Sequence, residues 1–352
     1  MLALFTTVER FLLAGALIAT AAAGVLHFAD APDVATFAVS ALALAGLAWI
    51  VSFATEAIGE RLGPAATGVL QSTLGNLPEL FIVLFALAAG EVVVAQFSVL
   101  GSLFANALLV LGLVIVAGSM RAEDGVMRFH RRLPNDTATL VLLAVFIIGI
   151  LGASDSVGDR ASRHQVEISA AGAVVLLTVY AFFLVSYLRA PSGEPTTTGR
   201  GVPVGVGAAL LAVSGVGAAF VSDWFVDSLD AAVDALGISK AFTGLVIVAI
   251  AGNAVENVVG IVLAAKGQSD LAISVVKNSV AQIAVFLYPA LVLISLFLDS
   301  RLTFVVGPVY IAALLLTAIA MWQITGDGEA VAFEGWALVG LYAVLAVLTF
   351  YE

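Results

Sequence analysis

Eleven long apolar runs, each bounded by charge, Pro or Gly, divide this 352-residue chain and leave little else from which to build a fold. They cover residues 8–29, 33–56, 65–89, 91–118, 137–153, 166–189, 203–222, 239–265, 268–297, 302–324 and 332–351. A helix needs about 20 apolar residues to cross the hydrocarbon of a bilayer. Barrel strands would instead alternate polar and apolar residues over about ten positions, and runs such as Leu108 to Ala117 do not alternate. The runs therefore predict an all-α polytopic membrane protein with about eleven transmembrane helices. Composition agrees, because only 11% of residues are charged, against about 25% in soluble chains. A signal peptide is the alternative reading of the first run, since Arg10 stands at its head and Ala21 to Ala23 resemble a cleavage site.

Charge sets the expected orientation. The 119–136 loop holds Arg121, Arg128, Arg131 and Arg132, and the 190–202 segment follows Arg189 and includes Arg200. With a cytoplasmic N-terminus nine Lys/Arg lie inside and four lie outside (Arg160, Arg163, Lys240, Arg301), while Lys277 falls within a span. The positive-inside bias thus predicts N-in and C-out, as in the inner membrane of a prokaryote. The net charge of −11 is carried almost wholly by short connections, and no basic arm speaks for a nucleic-acid partner. There is no cysteine, so no disulfide framework or thiolate metal site exists. Nothing in the pattern calls for a cofactor.

At an offset of 177 residues the chain matches itself: Gly75, Asn76 and Glu79 fall on Gly252, Asn253 and Glu256. Gly90/Gly267, Ala95/Ala272, Val99/Val276 and Ser102/Ser279 keep the register. By the span count the first copy enters the membrane from the cytoplasm and the second from outside, an inverted repeat. The expected organisation is an N-terminal helix (1–30), a first five-helix repeat (31–189), a cytoplasmic linker (190–202) and a second repeat (203–352). Inverted repeats belong to secondary transporters, whose substrate sites form at the repeat interface near the bilayer midplane.

Glu79 and Glu256 lie deep in apolar spans, where a carboxylate must be neutralised by a proton, a cation or a basic partner. Asn76 and Asn253 add carboxamide oxygens about one turn away, Gly75 and Gly252 let backbones approach, and Pro78 weakens the first helix at that point. Ser102 and Ser279 recur in the following span, with Asn106 and Gln282 a further turn along. The set is all oxygen and carries two negative charges, which suits Ca²⁺ with its six to eight oxygen ligands; softer metals would want His or Cys, and His27, His130 and His164 all lie at span ends or in loops. The plain alternative is that Gly and Asn pack helices around buried protonated acids. Two glutamates at equivalent places in a repeat argue against it.

Asp223, Asp227, Asp230 and Asp234 follow an i, i+4, i+7, i+11 pattern, and Glu56 and Glu60 form a shorter one. Each reads either as a solvated helix face or as an electrostatic funnel for cations. Lys277 lies some nine residues into its span, on the face opposite Ser279 and Gln282. Its side chain either snorkels to the interface or pairs with a buried acid as a tethered cation.

The segments GNLPELFIVLFALAAGE (75–91), VLGSLFANALLVLG (99–112), GLVIVAIAGNAVENVVGIVLAAK (244–266) and NSVAQIAVF (278–286) resemble the cation/Ca²⁺ antiporter superfamily, most closely its H⁺/Ca²⁺ exchanger branch. Similarity also reaches ATEAIGERLG (54–63) and VDSLDAAVDALGIS (226–239). The resemblance implies one helix followed by two inverted five-helix halves, with Glu79 and Glu256 as principal Ca²⁺ ligands and Asn76, Asn253, Ser102, Ser279 and Gln282 in support. It implies Ca²⁺ export against H⁺ by alternating access, with Na⁺ as the alternative coupling ion. Na⁺-coupled relatives have Thr-Ser where this chain has Gly75 and Asn76, and tend to carry Asp where Gln282 stands. Against the proton branch, Asn257 stands where His is frequent, and Lys277 and Asn278 replace an apolar residue and a glycine. A cation channel could use the same carboxylates, but an inverted pair suits alternating access better than a pore ring. An enzyme would need a nucleophile with its base, and no such trio is present.

Overall fold

The computed structural model describes residues 5–62, 75–130, 132–189 and 202–352. The chain is an integral membrane protein built from helices: α1 Thr7–Phe28, α2 Asp33–Leu62, α3 Leu77–Ala88, α4 Val92–Arg121, α5 Arg132–Ser156, α6 Gln165–Arg189, α7 Val204–Asp227, α8 Leu229–Leu236, α9 Lys240–Gly252, α10 Ala254–Ala265, α11 Ser269–Ser295, α12 Pro308–Thr325 and α13 Ala332–Phe350. Among the described residues nine helices are long and apolar enough to cross a membrane. α8 and α9 together form a further candidate span, bent by 114°, and α3 is a shorter apolar helix.

Three expected spans need correction. The run 239–265 is not one helix, because it breaks at Asn253 between α9 and α10. Of the run 65–89, residues 65–74 lie outside the described part and the helix begins at Leu77. The run 302–324 starts as irregular chain up to Gly307, and α12 begins at Pro308, whose missing N–H costs nothing at a helix start. The expected linker 190–202 falls almost wholly outside the described residues.

Burial orders the helices from centre to rim. α4 is almost wholly buried, whereas α1, α6 and α7 leave Phe11, Ile18, Val174, Phe182, Val213 and Phe220 exposed, apolar surface suited to lipid. Close packing in lipid relies on small residues that let backbones touch. α4 crosses α9 in this way: a Cβ on Gly101 would collide with the backbone of Leu245, and one on Gly244 would lie 2.8 Å from Ser98 N. α1 packs on α2 and α7, with Ala16 against Gly46 and Trp224 against Gly24. A two-stranded antiparallel sheet, β1 Val126–Arg128 with β2 Glu329–Val331, ties the loop after α4 to the connection between α12 and α13.

Candidate cation site

Each motif asparagine is a helix start. Asn76 caps α3 with φ −94° and ψ 16°, and Asn253 caps α10 with φ −109° and ψ 13°. Neither side chain is spent on capping its own helix. Pro78 occupies the first turn of α3, where it removes no intrahelical bond. Glu79 and Glu256 are thus the third residues of their helices, within the first turn, where the N-terminal amide dipoles favour negative charge. Sequence periodicity treated the Asn and Glu as neighbours on a continuous helix; they flank a break instead.

The correspondence continues beyond the motif. α3 and α10 are both 12 residues long. Each ends on a glycine of positive φ, +85° at Gly90 and +78° at Gly267, a conformation glycine adopts without steric cost. Glu91 N then bonds Ala86 O, and Gln268 N bonds Leu263 O. Further on, α4 widens into a π-helical turn at Ala105–Val110 and α11 into another at Ile283–Leu287. Such turns occur mostly as single bulges inside α-helices, frequently at functional sites.

The two copies meet at the helix breaks. A Cβ on Gly252 would stand 3.6 Å from Glu79 Cβ, in van der Waals contact, so the second break lies directly against the first motif's glutamate. Glu79 is 1% exposed; Glu256 lies in α10, but its side chain is outside what the structure describes. Asn253 Nδ2 donates to Ser102 Oγ at 2.8 Å and to Ala249 O at 3.1 Å, which joins the second motif to the first half's long helix. Asn76 is also buried, and its Nδ2 has no hydrogen-bond partner among the described residues. Ser279 is buried on α11 and Gln282 is half-buried one turn later, on a helix that packs against α10 and the π turn of α4. Among the described residues no hydrogen bond joins Gln282 to the rest. No three described His, Asp or Glu residues converge, so a cation between the breaks would draw on amide, hydroxyl and backbone oxygens around the glutamates, a hard-ligand set.

Two other expectations change. Lys277 does not snorkel: it is 1% exposed and donates to Thr325 Oγ1 at 2.6 Å, and that hydroxyl donates to Met321 O. The acidic stripe is not one helix face, because α7 ends at Asp227 and α8 begins at Leu229. Asp230 there accepts from Lys240 at 2.7 Å, and Lys240 also bonds Glu91 at 2.7 and 2.8 Å. The side chains of Glu56 and Glu60 lie outside the described part.

Sequence reading also missed Gln96. Its Nε2 donates to Val305 O at 2.7 Å and lies 3.4 Å from Tyr288 Oη, which itself donates to Thr303 O at 2.8 Å. The network ties α4 and α11 to the irregular 302–307 segment. Its only sequence signal is a single amide in an otherwise apolar stretch.

Comparison with known proteins places this arrangement. The profile of the family described as "Sodium/calcium exchanger protein" matches residues 33–188 and 206–351. The vacuolar calcium ion transporter of Schizosaccharomyces pombe is 33% identical over 329 residues, covering 90% of this chain and 79% of that one. The Ca(2+)/H(+) antiporter of Synechocystis is 30% identical, covering 93% of each. The crystal structure of the selenium-substituted Ca²⁺/H⁺ antiporter protein YfkE superposes with a TM-score of 0.80 at 25% identity, over 97% of this chain and 100% of that one. This chain belongs to the sodium/calcium exchanger protein family, and its relatives place it with the H⁺/Ca²⁺ exchangers of the cation/Ca²⁺ antiporter superfamily.

Proposed function

We propose that this protein exports Ca²⁺ in exchange for H⁺ by alternating access, with the ion held between the breaks before α3 and α10. The observation that carries the reading is the meeting of the two motif copies, with Gly252 against Glu79 and Asn253 on Ser102. Glu79 and Glu256 are the principal ligands in this reading, and Asn76, Asn253, Ser102, Ser279 and Gln282 complete the oxygen shell. Two carboxylates hold one Ca²⁺ or two protons at the same local neutrality, whereas holding both would leave excess positive charge in hydrocarbon. That mutual exclusion makes the transporter an exchanger. The halves 31–189 and 203–352 act as inverted repeats that rock around the fixed site. The N-terminus faces the cytoplasm of a prokaryotic cell, in keeping with the arginine-rich 119–136 loop.

Na⁺ coupling is the competing reading within the same family. It asks for additional oxygen sites, and Gly75 supplies no side-chain oxygen, while Asn76 and Gln282 supply only neutral ones. The test is ⁴⁵Ca²⁺ uptake into proteoliposomes under imposed gradients. A pH gradient alone should drive saturable Ca²⁺ movement. Movement driven by a Na⁺ gradient, with no response to pH, would overturn the proton assignment and keep the antiporter. Flux without any counter-ion would point to a channel.

A further inference from the structure

Between α3 and α7 runs a groove of about 700 Å³, a volume that accommodates one ligand-sized molecule. Phe81 and Phe85 of α3 form one wall, and along α7 the groove extends from Ala208 past Ala212 and Gly215 to Asp223. From Ala208 to Asp223 the helix rises about 22 Å, more than the roughly 15 Å of hydrocarbon in one leaflet. A Cβ placed on Gly215 would meet no atom of the described residues within 4 Å. The neighbouring surface of α7 is apolar, with Val213, Val216 and Phe220 all more than half exposed, so the groove faces lipid. One end of it is different. Asp223 is half-buried there, and among the described residues its carboxylate makes no hydrogen bond or salt bridge; Asp227, one turn on, and His27 of α1 are the charged or titratable groups in electrostatic reach. Asp223 lies four residues before the end of α7, beside Trp224, whose ring stacks on His27 at 5.7 Å. Tryptophan is enriched at the level of the lipid headgroups. A carboxylate lining an apolar groove at that level complements a cation carried on a hydrocarbon chain.

We propose that the groove holds one acyl chain of an ethanolamine phospholipid, with the primary ammonium of its headgroup on Asp223. That headgroup brings N–H donors together with positive charge, so it supplies the carboxylate with hydrogen bonds. A choline headgroup has the charge but no N–H, and a glycerol headgroup leaves its phosphate unbalanced beside Asp223, where like charges repel. Pockets that select anionic lipids are basic; this one is acidic. Phe81 stands two residues from Glu79, about 200° round the helix, so the chain lies on the side of α3 turned away from the motif glutamate. The lipid backs the helix that carries Glu79 without entering the cation site, and the inference holds whichever ion is exchanged.

The test titrates the full-length protein in detergent micelles with phosphatidylethanolamine, phosphatidylcholine and phosphatidylglycerol of identical chains, and reads bound lipid by native mass spectrometry. The parent should bind the ethanolamine lipid about fivefold or more tighter than the choline lipid, with the glycerol lipid weakest. Asp223→Asn keeps the shape of the groove but removes the charge, and should bring the ethanolamine and choline lipids within about twofold of each other. Asp227→Asn, at an exposed position one turn on, should leave the preference intact. Gly215→Leu fills the groove and should weaken the ethanolamine lipid about tenfold; should it fail to fold, Ala212→Leu, at an exposed position on the same wall, should do the same. Equal binding of the three lipids by the parent would mean ordinary lipid contact and overturn the proposal. So would a preference that survives both Gly215→Leu and Ala212→Leu, or one that Asp227→Asn removes as fully as Asp223→Asn.

Discussion

The segment from α3 into α4 and the segment from α10 into α11 share a backbone and differ in what they put on it. Asn76 and Asn253 break the chain with nearly the same torsions, Gly90 and Gly267 turn it with the same positive φ, and both long helices carry a π turn. Between these fixed points the side chains diverge: in the self-match Leu100 corresponds to Lys277, Gly101 to Asn278, Ala105 to Gln282 and Asn106 to Ile283. What is retained is what the backbone needs, a cap that can leave helical torsions and a residue free to take positive φ. What is kept only in part is the polar lining, where Ser102 and Ser279 agree and the four positions above do not. One half supplies the close crossing and the extra amide, the other a buried amine and a half-buried amide.

The largest test of that asymmetry is steric. Gly101→Val drives a side chain into the backbone of Leu245, where no rotamer can yield. The cost should exceed about 3 kcal/mol and remove most folded protein. Asn278→Val, at the corresponding place in α11, exchanges a half-buried side chain for one of similar size and should fold. Monodisperse yield after detergent extraction separates the two; equal yields would mean that the α4–α9 crossing is not required.

Next come the carboxylates, where the halves should behave alike. Glu79→Gln and Glu256→Gln each keep size and a carbonyl but remove a charge that balances Ca²⁺, and each should lower transport about 100-fold or more with normal insertion. Near-normal flux in one properly inserted variant would make the pair unequal and remove that glutamate from the mechanism.

A smaller effect is expected at Lys277, which has Leu100 as its counterpart. Its amine donates to Thr325 on α12, which gives it a structural partner, so Lys277→Met should slow transport by about threefold and not abolish it. Complete loss in a folded variant would instead make Lys277 a tethered competitor for the cation site.

The membrane spans were legible because apolar run length leaves a local mark, as does the recurrence in register of unlike residues such as Gly, Asn, Glu and Ser. The helix breaks were only half legible. Pro78 flags the first, but Ala254 and Val255 give no signal for the second, where Asn253 finds its side-chain partner in Ser102, 151 positions away in sequence. π turns leave no compositional trace. The partners of Lys277 and Gln96 sit on other helices, and periodicity says which face a side chain takes but not what that face meets. The acidic stripe failed for the opposite reason, since i, i+4 spacing assumed a helix that continues through Ser228.

The smallest effect concerns the heads of the same two helices, Glu91 before α4 and Gln268 before α11. They share torsions (φ −80°, ψ 59° and φ −90°, ψ 61°), yet only Glu91 bears a charge, and Lys240 at the head of α9 bridges it to Asp230. The Glu91 side chain is only 16% exposed and that of Lys240 38%, so removing the amine leaves a partly buried carboxylate without this partner. That cost exceeds the loss of a solvated ion pair. Lys240→Gln should destabilise the protein by about 1 kcal/mol and lower the melting temperature in detergent by about 2–4 °C. Arg128→Gln breaks a pair whose side chains are both more than half exposed and should not shift the melt. Glu91→Gln in the Lys240→Gln background should recover part of the loss, because the stranded charge is gone. If it recovers nothing, the bridge to Asp230 carries the effect, and the two helix heads are energetically alike despite their different residues.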